Sequence, residues 1–505
     1  MSYDVAIIGA GPCGLAVTAR LCEPTPSALF SDAEHNRYWR RFSHRKNTLE
    51  SELKSKKGGR SRTLSGDDSA VVDMAPPSVV VLDNSSTEWM AAWKSRFQNL
   101  QISHLRSPLF FHPDPRDRDA LLGFAHHKER TAELNEIRNV VGKEVSKHSM
   151  KKKGGDESSK SNSSKKKGVP LHLRIDGRDK IDYFRPSARL FEDFCHDIVD
   201  KYSLQNMVKQ AEVRAVHYEQ GDGFVLDTTD GSYLAKIVVV AVGARPRAAQ
   251  PPISSQMRVV QQKLGGIAPR HVVVVGGGLT SAQIVDMLIR RHNVGRVWFL
   301  LRGTYKIKHF DVDLEWVSKT RNQRMAMFWT ADTDDERLQM LKDARGGGSI
   351  TPEFDKILKT HVKNGRLSIH PNTVWMAAEA RAEPAVEAMP ETVDHVVWAT
   401  GGTADLNDLA FLEPLRSQHK IETLGGLPCL SDDMMWNDEV PCFFTGALAG
   451  LRLGPGAANL AGARMGAERI AWKVDELLGR TSANHEEVQR DIIGNRFQIL
   501  QGGVY

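Results

Sequence analysis

The 505-residue chain is poor in the features that announce most specialised classes of protein. It has five cysteines, Cys13, Cys22, Cys195, Cys429 and Cys442, and no two of them form a C-x-x-C pair. That spacing argues against a zinc site and against a redox dithiol of the thioredoxin-reductase type, and scattered thiols in odd number fit a reducing, cytoplasmic compartment. Long apolar runs are missing as well. The longest, around residues 237–244, is strand-sized, where a membrane span needs ~18 residues. No charged segment with an apolar stretch precedes the strand-like residues 3–8, so no secretory leader is expected. Charge of one sign is scarce: 68 Lys and Arg against 62 Asp and Glu leave a net charge of +6. Much of that excess sits in residues 147–167, which argues against a nucleic-acid-binding face. His104, His112 and the pair His126-His127 show no metal-ligand spacing, so no metal is expected.

What is present is the composition of a soluble globular protein, 41% hydrophobic and 26% charged. The length implies two or three domains. Two segments share one layout: residues 3–14 read YDVAIIGAGPCG and residues 271–282 read HVVVVGGGLTSA. Each is a β-branched strand and a glycine-rich turn, followed by helical periodicity over 15–22 and 283–292. This is the opening of a βαβ nucleotide-binding unit. Its repetition half a chain apart predicts an α/β fold with two Rossmann-like dinucleotide-binding domains.

The remaining pattern is coarser. Residues 189–202 have helical periodicity; residues 213–228 and 233–242 read as a strand pair closed by Asp230-Gly231. Residues 237–243 and 393–401 are buried-strand runs ending on glycine. Residues 454–474 open with Gly454 and Pro455 and continue as a helix rich in Ala and Gly. Trp89, Trp93 and Phe97, at helical spacing, read as a buried helix face. Two stretches near 51–68 and 146–168, rich in Lys, Ser and Gly, have too few apolar residues to fold alone and read as disordered surface inserts. The lysine triplets of the second also admit a nuclear-localisation reading.

The first turn is Gly9-x-Gly11-Pro12-Cys13-Gly14. Gly9 allows the tight turn out of the strand, Gly11 lets the backbone approach a pyrophosphate, and Gly14 permits close helix–strand packing. The helix N-terminus then offers unpaired N–H groups and a partial positive charge. Residues 28–32 (ALFSD) read as the second strand, with Asp32 placed to accept from ribose hydroxyls and Glu34 as the alternative acid. In the second turn Gly276 and Gly278 take the first two glycine roles, and Thr280 or Ser281 is placed to cap the helix or bond a phosphate oxygen. The following strand, 296–301, ends in Arg302, with Lys306 and Lys308 beyond it. A cation there binds a 2′-phosphate that an acid would repel, which predicts NADPH over NADH.

With GAGPCG near the N-terminus, GGGLTSA downstream and WATG at the end of the 393–401 strand, the chain resembles the class B flavoprotein monooxygenases. That family comprises the flavin-containing, Baeyer–Villiger and N-hydroxylating (lysine/ornithine) enzymes. The F-x-G-x-x-x-H pattern of the first two groups is absent from residues 257–270. The resemblance implies an FAD domain over residues 1–250 and 393–505, interrupted by an NADPH domain over 251–392. It implies Trp39 as the tryptophan after the ribose acid, and Gly243 and Thr400-Gly401 as the connections between domains. Residues 441–468, with Gly446, Gly454 and Pro455, become the closing FAD segment. It also implies a reduced-flavin hydroperoxide that passes one oxygen of O2 to an amine or thioether of a small molecule. Near the flavin, Asn459 is placed for a hydrogen bond to the flavin edge or for helix capping, and Arg106 and His112 are further catalytic candidates. An NADPH-dependent reductase or oxidase, and a regulatory flavoprotein, are the competing readings. Oligomeric state and substrate identity have no signature in the sequence.

Overall fold

The computed structural model describes residues 2–23, 76–141, 177–243, 245–246, 255–256, 270–318, 321–377, 379–387 and 389–480. In chain order its main elements begin with β1 (Ser2–Ile8), α1 (Pro12–Cys22), β2 (Val79–Asp83), α2 (Ala91–Asn99), α3 (Ala188–Lys201), β3 (Val208–Gln210), β4 (Val213–Glu219), β5 (Gly223–Thr228) and β6 (Gly231–Val240). They continue with β7 (His271–Val275), α4 (Leu279–Arg291), β8 (Arg296–Leu301), α5 (Arg321–Trp329), α6 (Asp334–Arg345), α7 (Pro352–Lys363), β9 (Leu367–Pro371), β10 (His395–Trp398), β11 (Cys442–Phe444) and α8 (Leu460–Leu477).

The strands form two main sheets, and the architecture is α/β. In the first the order is β3-β2-β1-β6-β5-β4, with β11 also paired to β6. β1 is the centre of this sheet, and Val5, Ala6 and Ile7 are fully buried, as a strand covered on both faces requires. β6 changes character along its length. Its first half is mostly exposed and pairs antiparallel with β5; Ile237–Val240 are continuously buried, and Val238–Val240 pair parallel with β11. The expected strand over 213–228 is in fact two, β4 and β5, because Gly221 and Gly223 take φ of +95° and +88° and turn the chain back on itself. The hairpin at Asp230-Gly231 forms as expected.

The second sheet, β9-β8-β7-β10, is parallel throughout. Its core holds Val272, Val274, Ile284, Leu288 and Phe299. β10 pairs with β7 in parallel register from Val272↔His395 to Val275↔Trp398. The chain passes between the two units twice. Residues Arg245–Pro246 and Gly402–Thr403 run antiparallel beside each other at that passage.

The units touch at several places among the described residues. Phe110, Phe111, Val140 and Tyr183 of the first unit pack with Phe310, Val312 and Val317 of the second, and Leu460 and Ala461 border this cluster. Leu451 packs with Phe328 and Leu341. Arg452 chelates Asp334 through Nη1–Oδ1 at 2.5 Å and Nη2–Oδ2 at 3.2 Å. No helix among the described residues is long and apolar enough to cross a membrane.

Candidate functional site

Each glycine turn sits at the carboxyl end of a central parallel strand, where α/β sheets bind their ligands. At the first, Gly9 has φ +113°, and a Cβ added there would lie 2.8 Å from the Ala241 carbonyl oxygen. A Cβ at Gly14 would lie 2.0 Å from the Gly9 oxygen. These two glycines are sealed against backbone, whereas a Cβ at Gly11 would meet nothing within 4 Å. The turn therefore closes behind and opens in front. Gly11 is also the N-cap of α1 and supplies no side-chain cap, with Pro12 in the first turn. Elsewhere in the chain Ser187, Thr333 and Thr351 cap their helices through their hydroxyls. The first N–H groups of α1 have no such partner, which leaves them for an anion.

The second turn repeats this geometry. Gly276 has φ +149°, and a Cβ there would come within 2.2 Å of the Ala399 oxygen. A Cβ at Gly278 would meet nothing within 4 Å, and Gly278 caps α4 without a side chain. Ser281 is fully buried and donates to the Ala399 oxygen at 3.0 Å, so its hydroxyl ties α4 to the end of β10 rather than facing a phosphate. Thr280 remains partly exposed in the first turn of α4. Arg302 is exposed just beyond the end of β8. Lys306, in contrast, donates to the Gly346 carbonyl, and Lys308 pairs with Asp313 at 2.8 Å.

Asp32 and Trp39 lie outside the described residues. The place beside β1 that the sequence pattern assigned to residues 28–32 is held by β2, in parallel register from Val5↔Val79 to Ile8↔Leu82, and β6 holds the other edge. The acid at the end of the strand beside the first turn is thus Asp83. Its Oδ2 accepts from the Ala10 N–H at 2.8 Å, and its Oδ1 accepts from the N–H and hydroxyl of Ser85. A carboxylate has about four lone-pair sites, so acceptor capacity is left over for a ribose. A signal for Asp83 was present: residues 79–83 (VVVLD) are a more β-branched run than ALFSD and are followed by the turn residues Asn84-Ser85-Ser86. Trp89, just after it, is buried and donates its indole N–H to the Leu204 oxygen at 2.9 Å, while Trp93 and Phe97 stack at 3.9 Å.

The closing segment returns to the first turn from far along the chain. A Cβ at Gly446 (φ +72°) would lie 3.3 Å from Cys13 Sγ, so residues 13 and 446 are in contact. Burial pushes the Cys13 thiol up to about 11, which keeps it protonated. Small residues let α8 lie close to its neighbours: a Cβ at Gly466 would come 2.7 Å from Thr445 Oγ1. Gly454 (φ +75°) abuts Met325 of α5, and Pro455 follows it, buried. Gly243 and Gly401 are exposed at the ends of β6 and β10, next to the paired passages between the units, and Thr400 precedes the second of them.

The three catalytic candidates occupy different settings. Asn459 is the N-cap of α8, and its side-chain oxygen accepts from the Ala461 N–H at 2.9 Å, which is the capping alternative. His112 is fully buried, with Nε2 3.0 Å from the Arg118 oxygen and its ring edge-on to Phe194. Burial, reinforced by the Arg464 charge, pushes it down to about 4, so it is neutral near pH 7. Arg106 directs its guanidinium into backbone carbonyls of the second unit. Burial lowers it to about 10, still charged at neutral pH. Among the described residues no group of His, Cys, Asp and Glu could hold a metal ion.

The architecture has close counterparts among solved structures. The ornithine N-hydroxylase of Kutzneria sp. 744, solved with reduced FAD, NADP+ and L-ornithine, superposes with a TM-score of 0.59 at 14% identity, over 95% of this chain and 100% of that one. The FAD-bound cadaverine monooxygenase of Erwinia amylovora gives 0.56 at 14% identity, over 94% and 95% of the two chains. The L-lysine 6-monooxygenase of Pseudomonas syringae gives 0.55 at 15% identity, over 94% and 99%. No family model and no curated protein matches the sequence. The chain therefore has the two-domain fold of the N-hydroxylating flavoprotein monooxygenases, within the class B architecture that its motifs resemble.

Proposed function

We propose that this protein is an FAD- and NADPH-dependent monooxygenase that oxygenates the nitrogen of a small-molecule amine, with molecular oxygen as co-substrate. The carrying observation is the pair of open, side-chain-free helix N-termini at Gly11 and Gly278, one on each parallel sheet, within a fold shared along its length with amine N-hydroxylases. In this reading the turn from Gly9 to Gly14 receives the FAD pyrophosphate and Asp83 accepts from its ribose. The helix α8 and residues 445–459 complete that site. The turn from Gly276 to Thr280 receives the NADPH pyrophosphate, and exposed Arg302 takes its 2′-phosphate. Bound FAD would supply the redox chemistry, taking hydride from NADPH and activating oxygen. The chain's own part is to hold both dinucleotides, orient them across the junction of the units, and exclude water there with Phe110, Phe111, Tyr183 and Phe310. The domain division that fits is an FAD unit interrupted by an NADPH unit ending after β10. Five free cysteines support a reducing, cytoplasmic setting.

The test is the fate of the electrons. Purified protein, reconstituted with FAD, is given NADPH, oxygen and a panel of aliphatic diamines, ω-amino acids and thioethers. Hydroxylated or S-oxidised product in near-stoichiometric ratio to NADPH is the expected result for at least one compound. Full recovery of the electrons as hydrogen peroxide with every compound would mean a reductase or oxidase instead. Failure to retain FAD would remove the enzymatic reading altogether.

A further inference from the structure

Arg106 belongs to the first unit, and its segment is fastened there on both sides: the Leu105 N–H donates to the Pro186 oxygen at 3.1 Å and the Leu109 N–H to the Phe184 oxygen at 2.9 Å. Its guanidinium nevertheless spends itself on the second unit. Nε donates to the His309 oxygen at 3.0 Å. Nη2 reaches the Lys308 and Phe310 oxygens at 2.9 and 2.6 Å and Ser349 Oγ at 2.9 Å, and Nη1 the Ser349 oxygen at 3.4 Å. These acceptors lie on two stretches that are already joined, because Ile307 and Ile350 form a β-bridge and the Lys308 N–H donates to the Ile350 oxygen. Four carbonyls and a hydroxyl converge on one planar fork, a geometry that a lysine ammonium cannot reproduce.

The residue next to Ser349 makes this consequential. Gly348 lies directly on the second glycine turn: a Cβ there would stand 2.7 Å from Gly277 C, 2.8 Å from its oxygen and 2.8 Å from Gly278 N. The stretch 344–348 is held from the other side by Lys306, on the Gly346 oxygen, and by Lys308, on the Ala344 and Arg345 oxygens at the negative end of α6. The peptide that would face a pyrophosphate is thus backed by a loop whose far end is clamped from the first unit.

We infer that Arg106 is a positioning residue that seats the second dinucleotide turn from the first unit, through Ser349 and Gly348, and so couples dinucleotide binding to the relative placement of the two units. The inference rests on the reading of that turn as the NADP(H) site. It assigns Arg106 no contact with substrate.

The experiment compares Arg106→Gln, Arg106→Lys and Gly348→Ala with wild type, and uses Arg130→Gln as a control that removes a partly buried arginine of the first unit paired with Glu133 and Asp193. Two quantities are read on FAD-reconstituted protein: hydrogen exchange of the amides in 276–281 and 346–350, and the Kd for NADP+. All three test variants are expected to retain FAD, lose exchange protection in both stretches and weaken NADP+ about tenfold, the ordinary size of a coupling between sites. The control should change neither quantity, and Arg106→Lys should not restore them. Unchanged protection in Arg106→Gln, or lost protection with an unchanged Kd, overturns the inference. Wild-type protein that binds no NADP+ sinks the functional reading instead, and exchange alone then decides whether Arg106 seats the turn.

Discussion

In the proposed reading Asp83 serves both structure and binding. It fixes the first turn through the Ala10 N–H and is itself oriented by Ser85, so a ribose hydroxyl would meet a preset acceptor. Asp83→Ala is expected to lower FAD retention at least tenfold, since a charge-assisted bond carries ~1.5–3 kcal/mol; the flavin-to-protein ratio after gel filtration measures it, and an unchanged ratio would return the ribose role to residues outside those described. His112 makes a different prediction. Its proton affinity is depressed in the folded state, so between about pH 6.5 and its folded value of about 4 the unfolded chain binds the extra proton. Stability is therefore present above that window and falls as pH is lowered through it. Going from pH 7 to pH 5, His112 should cost about 2 kcal/mol of unfolding free energy. Urea denaturation of wild type and His112→Phe at the two pH values isolates this contribution, and equal pH dependence of the two proteins would refute it.

At the scale of elements, what was legible in the sequence was what is local. Both strand–turn–helix units could be read from contiguous residues, because glycine roles and strand patterning lie within about a dozen positions. The second strand of the first unit could not, since residues 24–75 separate α1 from β2, and a spacing rule that seeks an acid about twenty residues beyond the turn stops short of Asp83. Ser281 is open between cap and phosphate ligand in the sequence because its actual partner, the Ala399 oxygen, lies just past the end of β10, over a hundred residues away. Lys306 is a parallel case: nothing local reveals that the Gly346 carbonyl at the end of α6 lies beside it. The packing of α1 on α8 is likewise non-local. Arg20 Nε meets Glu468 Oε2 at 2.6 Å and Nη2 meets Oε1 at 3.1 Å, with Trp472 donating to the same carboxylate. Both side chains are almost fully buried. Removing one partner strands the other charge, so Glu468→Leu should cost about 3–5 kcal/mol. The double variant Arg20→Met/Glu468→Leu should recover much of that loss, which chemical denaturation can decide; a single variant as stable as wild type would show the pair to be dispensable.

At the scale of the whole molecule, the question is whether two sheets with two hydrophobic cores melt as two bodies or one. The cores are distinct: one surrounds β1 and β6, the other surrounds β7 and β8. What joins them is substantial. One mixed cluster has seven buried side chains and another has three, and Arg452 and Arg106 bridge the units besides. Full burial of such side chains is worth about 1.5–3 kcal/mol each, so if even roughly a third of that arises across the junction it rivals the ~5–15 kcal/mol that holds a domain folded. Opening one unit alone would forfeit most of this, and the remaining unit would have little stability left. A single calorimetric transition is therefore expected. FAD and NADP+ should each move that same transition upward, by about 2.7 kcal/mol at a concentration a hundredfold above Kd. Two transitions, one responding to FAD only and the other to NADP+ only, would show the junction to be too weak to transmit binding. In that case the contact between Arg106 and the loop behind the second turn would be local to the second site.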